Sequence, residues 1–577
     1  MVPPLCLCWL KHKCILVRRV DTATRTTSGI RPNRRGNHLL LRSGFLIRGI
    51  SKMSYSLPVA VLAVLIATPL CAQVSEPADA PMSRTATLTV NARLVVLDVV
   101  VTDRDGKPVD GLTRKDFEIY EDNKLQSVRS FEPPAAHVLP AESAAASIAT
   151  VFDASKPSSF GQSPVNILVL DQLNTHFADS SFARRELQDF LTKQPQPLKQ
   201  PTTLLSVYDN HFKQLQGYTR DRDALLRALA AAPPEYAWKL EVNGKADHGP
   251  LDRLEQSLRA LEEMAQGSAR IAGRKNIIWV GGGFPSIDPD TIDDDDAQTV
   301  KDTLQHVTDV LLDSRVTLYA VDPTTTAAGV TEVTDATQMM FVQAAGDGLA
   351  TNADPFDSNA DFDKLGPVTG GRVIRSMNNV AQQIAASVDL GTEFYTIGYS
   401  PSSSSEAKGQ YRKIRVVCLR PDLTATTRMG YYTERTQQEK SADTTAYDLS
   451  TAAESSIPLN GLHVTVELNR SVASAEETYI VHVGASDLTW KPEDDGSSTS
   501  KVAVMAVSLS SKGKMLGHTL HGMMAKARAD VNLRDTNRNA DFDFTVKPVA
   551  KATMLRFVVR DAGTGRMGSM DLPLPGH

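Results

Sequence analysis

Cysteine is scarce in this chain and unevenly placed. Of the five cysteines, Cys6, Cys8, Cys14 and Cys71 precede residue 72, and only Cys418 lies in the long remainder. A single cysteine cannot form an internal disulfide, although exported proteins are free to use such bonds. The chain after residue 72 must therefore be stabilised by hydrophobic cores, as its length permits.

The main part of the chain also lacks a basic patch and a long hydrophobic run. The formal net charge is −5 over 577 residues. Phosphate contacts need clustered Lys and Arg, so we expect no nucleic-acid partner. The apolar run from Leu57 to Leu70 is shorter than the ~20 residues of a comfortable membrane span. We therefore expect no membrane span once this run is removed.

A basic leader precedes that run. Residues 1–52 contain eleven Lys or Arg against one acid, Asp21. A basic start, a short apolar centre and a small residue before a polar one, here Ala72, describe a secretory signal peptide. We predict that residues 1–72 form this leader and that the protein is exported, to the periplasm or out of the cell. Both Met1 and Met53 remain open as the translation start.

The rest of the chain alternates between β-rich and mixed patterns. Period-two, Val-rich segments broken by turn residues predict a β segment at 88–133, and Ala, Ser and Pro predict a linker at 134–163. In 164–400, continuous apolar strands such as "VNILVLD" and "NIIWVG" alternate with amphipathic helices, which indicates a parallel sheet covered on both faces. Strand patterns return in 401–435, and 455–577 has the short strands of a β-sandwich.

These patterns predict a multidomain α/β plus β fold. A doubly wound, mainly parallel sheet is flanked by β-sandwich-like segments. The two flanks of the α/β unit, 88–133 and 401–435, are each too small to bury a core alone. We hypothesise that they pair into one sandwich into which the α/β unit is inserted.

Three separated stretches resemble a known family. "LVLDQLNT" and the later "GRKNIIWVGGGFPS" are similar to strand-end segments of a von Willebrand factor type A (VWA) domain, more specifically of the VWA-related proteins of Acidobacteria. The upstream "LVVLDVVVTDRDGKPVDGLTRKDFEIYEDNK" and the downstream "YTIGYSPSSSSEAKGQYRKIRVVC" agree in order and spacing. The resemblance covers roughly residues 90–433. It implies a Rossmann-like domain whose ligand site lies at the carboxyl ends of the strands, as sheet topology also suggests.

The resemblance further implies a divalent ion at that end of the sheet, the metal-ion-dependent adhesion site (MIDAS). In VWA domains, an Asp-x-Ser-x-Ser loop, a threonine and a further aspartate hold the ion, and an acidic residue of a partner completes it. The candidate metal ligands here are Asp171, Asn174 and Thr175, and the candidate ions are Mg²⁺ and Ca²⁺, which bind oxygen ligands.

This sequence departs from the VWA pattern in three places. Leu173 replaces the middle hydroxyl of the first loop, no Gly-Gly-Thr lies between Ala230 and Leu251, and glycines 281–283 stand where an Asp-Gly is expected. We therefore expect a degenerate metal site. The alternative for Asp171 is that it caps the following loop by accepting backbone N–H bonds.

From these observations we predict an exported VWA-domain protein rather than an enzyme. It would bind a protein or cell-surface ligand through the loops at the carboxyl ends of the sheet. One alternative is an envelope hydrolase that uses a metal or a His-assisted water near Asp171 and His176, with a serine such as Ser180, although no G-x-S-x-G elbow is present. The other is a purely structural envelope component.

Overall fold

The structure is a computed structural model. It describes residues 94–209, 211–241, 249–323, 355–356, 361–375, 379–401, 410–433, 442–469, 477–547 and 549–574. The predicted leader, residues 1–72, lies outside the described residues. Within the described part, no helix is long and apolar enough to cross a membrane.

Among the described residues, four strands precede the α/β unit. They are β1 (Val95–Thr102), β2 (Phe117–Glu121), β3 (Lys124–Gln126) and β4 (Val128–Glu132). Burial alternates along β2, whose Phe117 and Ile119 point inwards. This is the period of a strand with one face on a core.

As far as its residues are described, the α/β unit is a six-stranded sheet between two layers of helices. Its strands are β5 (Val165–Asp171), β6 (Thr202–Val207), β7 (Phe212–Thr219), β8 (Lys275–Val280), β9 (Val316–Asp322) and β10 (Arg372–Arg375). Its main helices are α1 (Phe177–Lys193), α2 (Arg222–Ala231), α3 (Gly249–Gly267), α4 (Asp294–Asp313), α5 (Phe362–Val368) and α6 (Val380–Thr392). A four-residue helix, Trp238–Glu241, precedes α3.

The sheet order is β7-β6-β5-β8-β9-β10. All neighbours run parallel except β6 and β7. This 3-2-1-4-5-6 order defines a doubly wound sheet, whose direction of winding reverses between its first and fourth strands, here β5 and β8. Every residue of β5 and β8 is buried, because α3, α4 and α5 cover one face and α1, α2 and α6 the other.

The strands after the α/β unit complete a sandwich with the strands before it. They are β11 (Tyr395–Tyr399), β12 (Tyr411–Cys418), β13 (Thr424–Thr426) and β14 (Gly430–Tyr432). The two antiparallel sheets have the orders β13-β1-β11-β4 and β14-β12-β2-β3. Leu97, Ile119, Ile397 and Val416 share one core. Neither flank could bury these side chains by itself.

Two of the predicted boundaries need correction. β11 pairs with β1 and β4, so the α/β unit ends with α6 rather than at residue 400. The segment 134–163 is not a free linker, because Phe152 and Phe160 are buried in the core under the sheet. The burial of these two aromatic side chains anchors the segment to the core, although its Ala, Ser and Pro content is typical of a linker.

The C-terminal part is a second sandwich with a helix on its outer face. Its elements are α7 (Ala442–Glu454), β15 (Val464–Asn469), β16 (Glu477–Gly484), β17 (Lys491–Pro492), β18 (Ser498–Leu509), β19 (Met515–Ala527), β20 (Asn539–Val546), β21 (Met554–Asp561) and β22 (Met567–Pro573). Val481, Phe544 and Phe557 lie between the sheets β15-β16-β20 and β17-β18-β21-β22, with β19 beside β18. The mixed sheet and the separate β sheets together confirm a multidomain α/β plus β fold.

Polar contacts join this second sandwich to α3 and to the turn that follows it. The Asn460 backbone N–H donates to the Gln266 carbonyl at 3.0 Å, and the Met567 N–H donates to Gln266 Oε1 at 3.0 Å. Arg270 Nη1 lies 3.0 Å from Asp487 Oδ2. Because these bonds come from separate points on the sandwich, they fix its orientation against the helix.

A buried lysine lies where the first sandwich meets the α/β unit. Lys275, at the start of β8, is 1% exposed, and its Nζ donates to the Ile271 carbonyl at 2.5 Å. Burial and the nearby Arg315 lower the pKa of Lys275 to about 7, although Asp98 opposes this shift. Between pH 7 and its ordinary pKa of 10.5, the unfolded chain therefore binds more protons than the folded chain.

We expect the free energy of unfolding to rise with pH across this window because of Lys275. Lys275→Met should raise the free energy of unfolding at pH 7 and flatten its rise towards pH 10. Urea denaturation at both pH values measures the change, with the exposed Lys491→Met as the control. If the free energy of unfolding rose equally between pH 7 and pH 10 in the Lys275→Met variant and in the parent, this expectation would be contradicted.

Candidate functional site

The candidate site lies where the winding of the α/β sheet reverses. Leu170 of β5 pairs with Val280 of β8, so the loops that begin at Asp171 and Gly281 leave the sheet side by side. In doubly wound sheets, ligands bind at such a switch point, outside the carboxyl ends of the strands. The predicted ligands Asp171, Asn174 and Thr175 all lie in the first of these loops.

The Asp171 carboxylate is completely enclosed and accepts hydrogen bonds on both oxygens. It is 0% exposed. Its Oδ1 accepts from the backbone N–H groups of Leu173 and Asn174, both at 2.9 Å. Its Oδ2 accepts from the Trp279 indole N–H and the Gly283 backbone N–H, both at 3.0 Å. The carboxylate thus joins its own loop to β8 and to the loop after β8.

Two opposing effects act on the pKa of Asp171. Burial raises it above its ordinary value, because a charged carboxylate loses its hydration. The N–H donors of Asn174, Trp279, Leu173 and Gly283 act in the opposite direction. A carboxylate held in this way is a structural acceptor, with its lone pairs directed at the protein.

The backbone of the glycines after β8, residues 281–283, is held by the same loop. The Thr175 hydroxyl accepts from the Gly282 N–H at 3.0 Å. Gly281 has φ +146°, and a Cβ there would lie 2.4 Å from the Asp171 Cβ and 2.5 Å from Thr175 Oγ1. Gly283 has φ +69°, and a Cβ there would lie 2.2 Å from Phe362 Cδ1. Neither Gly281 nor Gly283 could be an aspartate in this backbone.

The residues at this position do not fit a Mg²⁺ ion. An ionised carboxylate has about four lone-pair positions, and four N–H donors at 3.0 Å or less occupy them on Asp171. Two predicted ligands remain. Thr175 Oγ1 already accepts from the Gly282 N–H, while Asn174 Nδ2 donates to Ser257 Oγ at 3.0 Å and Asn174 Oδ1 is buried without a partner. These two side-chain oxygens are far from the six of an octahedral site. In the described part of the chain, no group of three His, Cys, Asp or Glu side chains could hold a metal ion.

The residues of the hydrolase alternative are not arranged for catalysis. His176 is exposed at the start of α1, whereas Asp171 is enclosed. Ser180 is 1% exposed, and its hydroxyl has no partner. A substrate would reach neither the Asp171 carboxylate nor the Ser180 hydroxyl.

The acidic run "DPDTIDDDD", residues 288–296, follows the glycines and has a local structural role. Asp293 Oδ1 accepts from the Asp296 N–H at 2.8 Å and caps α4. Asp288 Oδ1 accepts from the Asp290 N–H at 3.0 Å. Negative charge in the first turn of a helix is stabilised by the helix dipole. These carboxylates therefore do not converge on Asp171.

An exposed aromatic cluster lies at the same end of the sheet. It consists of Phe177, Tyr236 and Trp238, which are 40%, 41% and 64% exposed. The Phe177 and Tyr236 rings are 6.1 Å apart, and the Tyr236 and Trp238 rings are 4.7 Å apart in an edge-to-face arrangement. The Glu235 N–H donates to Gln172 Oε1 at 2.7 Å and so links the loop that carries Tyr236 to the residue after Asp171.

The sequence interpretation did not single out this cluster. Phe177 is distant in sequence from Tyr236 and Trp238, and the three come together because α1 starts, and α2 ends, at the carboxyl edge of the sheet. The aromatic pair in the polar stretch "PPEYAW" is the signal that could have indicated it, because exposed large aromatic side chains often mark interaction sites.

Comparisons with known proteins add little to this geometry. No family model matches the chain, and no curated protein matches it. The VWA domain of SpRpn10 is a solved structure to which the chain is weakly similar, with 13% identity, 28% of this chain and 88% of that chain covered, and a TM-score of 0.14. An endonuclease/exonuclease/phosphatase from Beutenbergia cavernae DSM 12333 shares 14% identity, with coverage of 32% and 38% and a TM-score of 0.11. Scores this low carry no argument about activity.

Proposed function

We propose that this is an exported, VWA-like binding protein that recognises a protein on the cell surface or in the envelope. Recognition would use the loops at the carboxyl ends of the α/β sheet and would need no metal ion. Export rests on the basic leader and apolar run of residues 1–72, and the VWA likeness rests on the sequence stretches around Asp171 and Gly281.

The observation that carries this proposal is the exposed cluster of Phe177, Tyr236 and Trp238. Exposing three adjacent aromatic side chains to water is unfavourable, and monomeric soluble proteins rarely retain such patches without a use. Trp and Tyr are enriched among the residues that dominate protein–protein binding energies. The cluster also lies at the end of the sheet where doubly wound folds bind their ligands.

The test is photocrosslinking in cells that produce the protein. A photoreactive benzoylphenylalanine at Ala178, exposed beside Phe177, should give a defined adduct with a second protein. The same group at the exposed Ala529 of the second sandwich should not. We expect the Ala178 adduct to persist in the presence of EDTA, because the proposed recognition needs no metal ion.

Trp238→Ala in this background should reduce the adduct yield at least tenfold, since truncating a central aromatic side chain commonly costs about 2 kcal/mol of binding energy. Met524→Ala, which removes an equally exposed side chain elsewhere (63%), should leave the yield unchanged. Equal adducts at Ala178 and Ala529, or an Ala178 adduct insensitive to Trp238→Ala, would refute recognition through the cluster. An adduct that EDTA abolishes would restore the metal-dependent alternative.

A further inference from the structure

A cavity lies on the opposite side of β6 and β7 from α2, away from the aromatic cluster. Its volume is about 170 Å³. The sheet contributes Ile167, Leu205 and Tyr218, and α3 contributes Met264. Two segments from outside the α/β sheet, 151–154 and 457–460, form the remaining walls.

Backbone hydrogen bonds hold both outer walls in place. The Phe152 N–H donates to the Tyr218 carbonyl at 2.7 Å, and the Asn460 N–H donates to the Gln266 carbonyl at 3.0 Å. Ile457 is packed so closely on α3 that a Cβ at Gly267 would lie 2.7 Å from its Cδ1. The cavity is partly open to solvent, and these bonds hold its walls apart.

The chemistry of the walls selects an apolar occupant. The polar side chains that line the cavity already bond to the protein: Gln214 Nε2 donates to Thr203 Oγ1 at 3.0 Å, Thr203 Oγ1 donates to the Gln216 carbonyl at 2.6 Å, and Asn460 Nδ2 donates to the Gly267 carbonyl at 2.9 Å. The remaining lining side chains are aliphatic or aromatic, apart from the half-exposed Asp153. An apolar ligand would displace water from this partly open space, and an apolar cavity of about 150 Å³ is large enough to bind benzene.

We propose that this cavity is a binding site for a small apolar molecule with a single aromatic ring system, between benzene and indole in size. Asp153 lines the cavity and is half-exposed, so a polar or cationic substituent on the ring could face solvent beside its carboxylate. The ligand would contact the α/β sheet and the 457–460 segment together. It would therefore stabilise the junction between the α/β unit and the second sandwich. Such junctions are preferred positions for small-molecule sites.

The test adds benzene or indole to the full chain. Ligand-observed NMR titration and thermal unfolding measure the binding of each probe. Ala154→Phe, which adds a ring from the cavity wall, should weaken the binding of both probes at least tenfold. Ala154→Ser changes the same position without filling the space and should bind as the parent does. Both probes should raise the unfolding midpoint of the parent and leave that of Ala154→Phe nearly unchanged.

A second variant keeps the test decisive if Ala154→Phe does not fold. Ile457→Ala enlarges the cavity and should shift preference towards indole relative to benzene. No binding by the parent at millimolar probe concentration would overturn the site. Binding that neither Ala154→Phe nor Ile457→Ala alters would also overturn it, because the probes would then bind elsewhere. Neither outcome affects recognition through the aromatic cluster.

Discussion

Asp171→Ala is expected to lower the free energy of unfolding by about 4 kcal/mol or more, since it leaves four buried N–H donors without an acceptor and each such loss costs about 1–3 kcal/mol. The donors belong to Leu173, Asn174, Trp279 and Gly283. The Asp171 side chain is 0% exposed, so bulk water does not simply replace the lost acceptor. Urea denaturation of the variant and the parent measures the difference.

Asp288→Ala is the matched control, since Asp288 is an exposed acid at the same end of the sheet. We expect it to change the free energy of unfolding by less than about 1 kcal/mol. Each measurement is repeated with Mg²⁺ and with EDTA. If the parent were to lose several kcal/mol in EDTA, Asp171 would be a metal ligand after all. Equal stability in both solutions supports the structural role of the carboxylate.

Gly281→Ala is expected to destabilise the fold by about 4 kcal/mol, from a strained backbone worth about 1–3 kcal/mol and a steric clash in addition. The φ of +146° suits glycine alone, and the new methyl group would lie 2.4 Å from the Asp171 Cβ. The loop would have to move, and the Gly282 and Gly283 bonds to Thr175 and Asp171 would move with it.

Gly106→Ala separates the cost of the strained backbone from the cost of the steric clash. Gly106 has φ +74° with nothing within 4 Å of its Cβ position, so it should show only the backbone cost, about 1 kcal/mol. Calorimetric unfolding of the two variants gives the comparison. If both variants lose the same stability, the contact between Gly281 and Asp171 has no energetic weight.

Strand positions in the α/β unit were predictable because burial on both faces leaves a continuous apolar run. "VNILVLD" predicts a strand that ends at Asp171, and β5 ends there. Local propensity is weaker evidence elsewhere. The helix α7 was not predicted, since its buried Leu449, Ala452 and Ala453 form a narrow stripe in a Thr- and Ala-rich stretch, and packing on the second sandwich stabilises it.

The partners of Asp171 could not be predicted from local sequence. Trp279 lies 108 positions away, inside a strand whose apolar run predicts only a packed side chain. The missing aspartate at glycines 281–283 indicates that a VWA metal site is incomplete. It does not indicate that an indole N–H and a backbone N–H take the place of the ion, which follows only from the register of β5 and β8.

The first sandwich has a consequence for the order in which the chain can fold. During synthesis from the amino terminus, β1 to β4 are made before β11 to β14. Until β11 and β13 are made, the strands β1 and β4 lack their hydrogen-bonded neighbours. The α/β unit must then fold, because its folding brings β1–β4 close to β11–β14. A folded α/β unit also lowers the entropy cost of closing the long chain segment between these two groups of strands. The first sandwich can thus close only after the α/β unit has been made, and a chain truncated before Tyr395 would expose strand edges that pair readily with other chains.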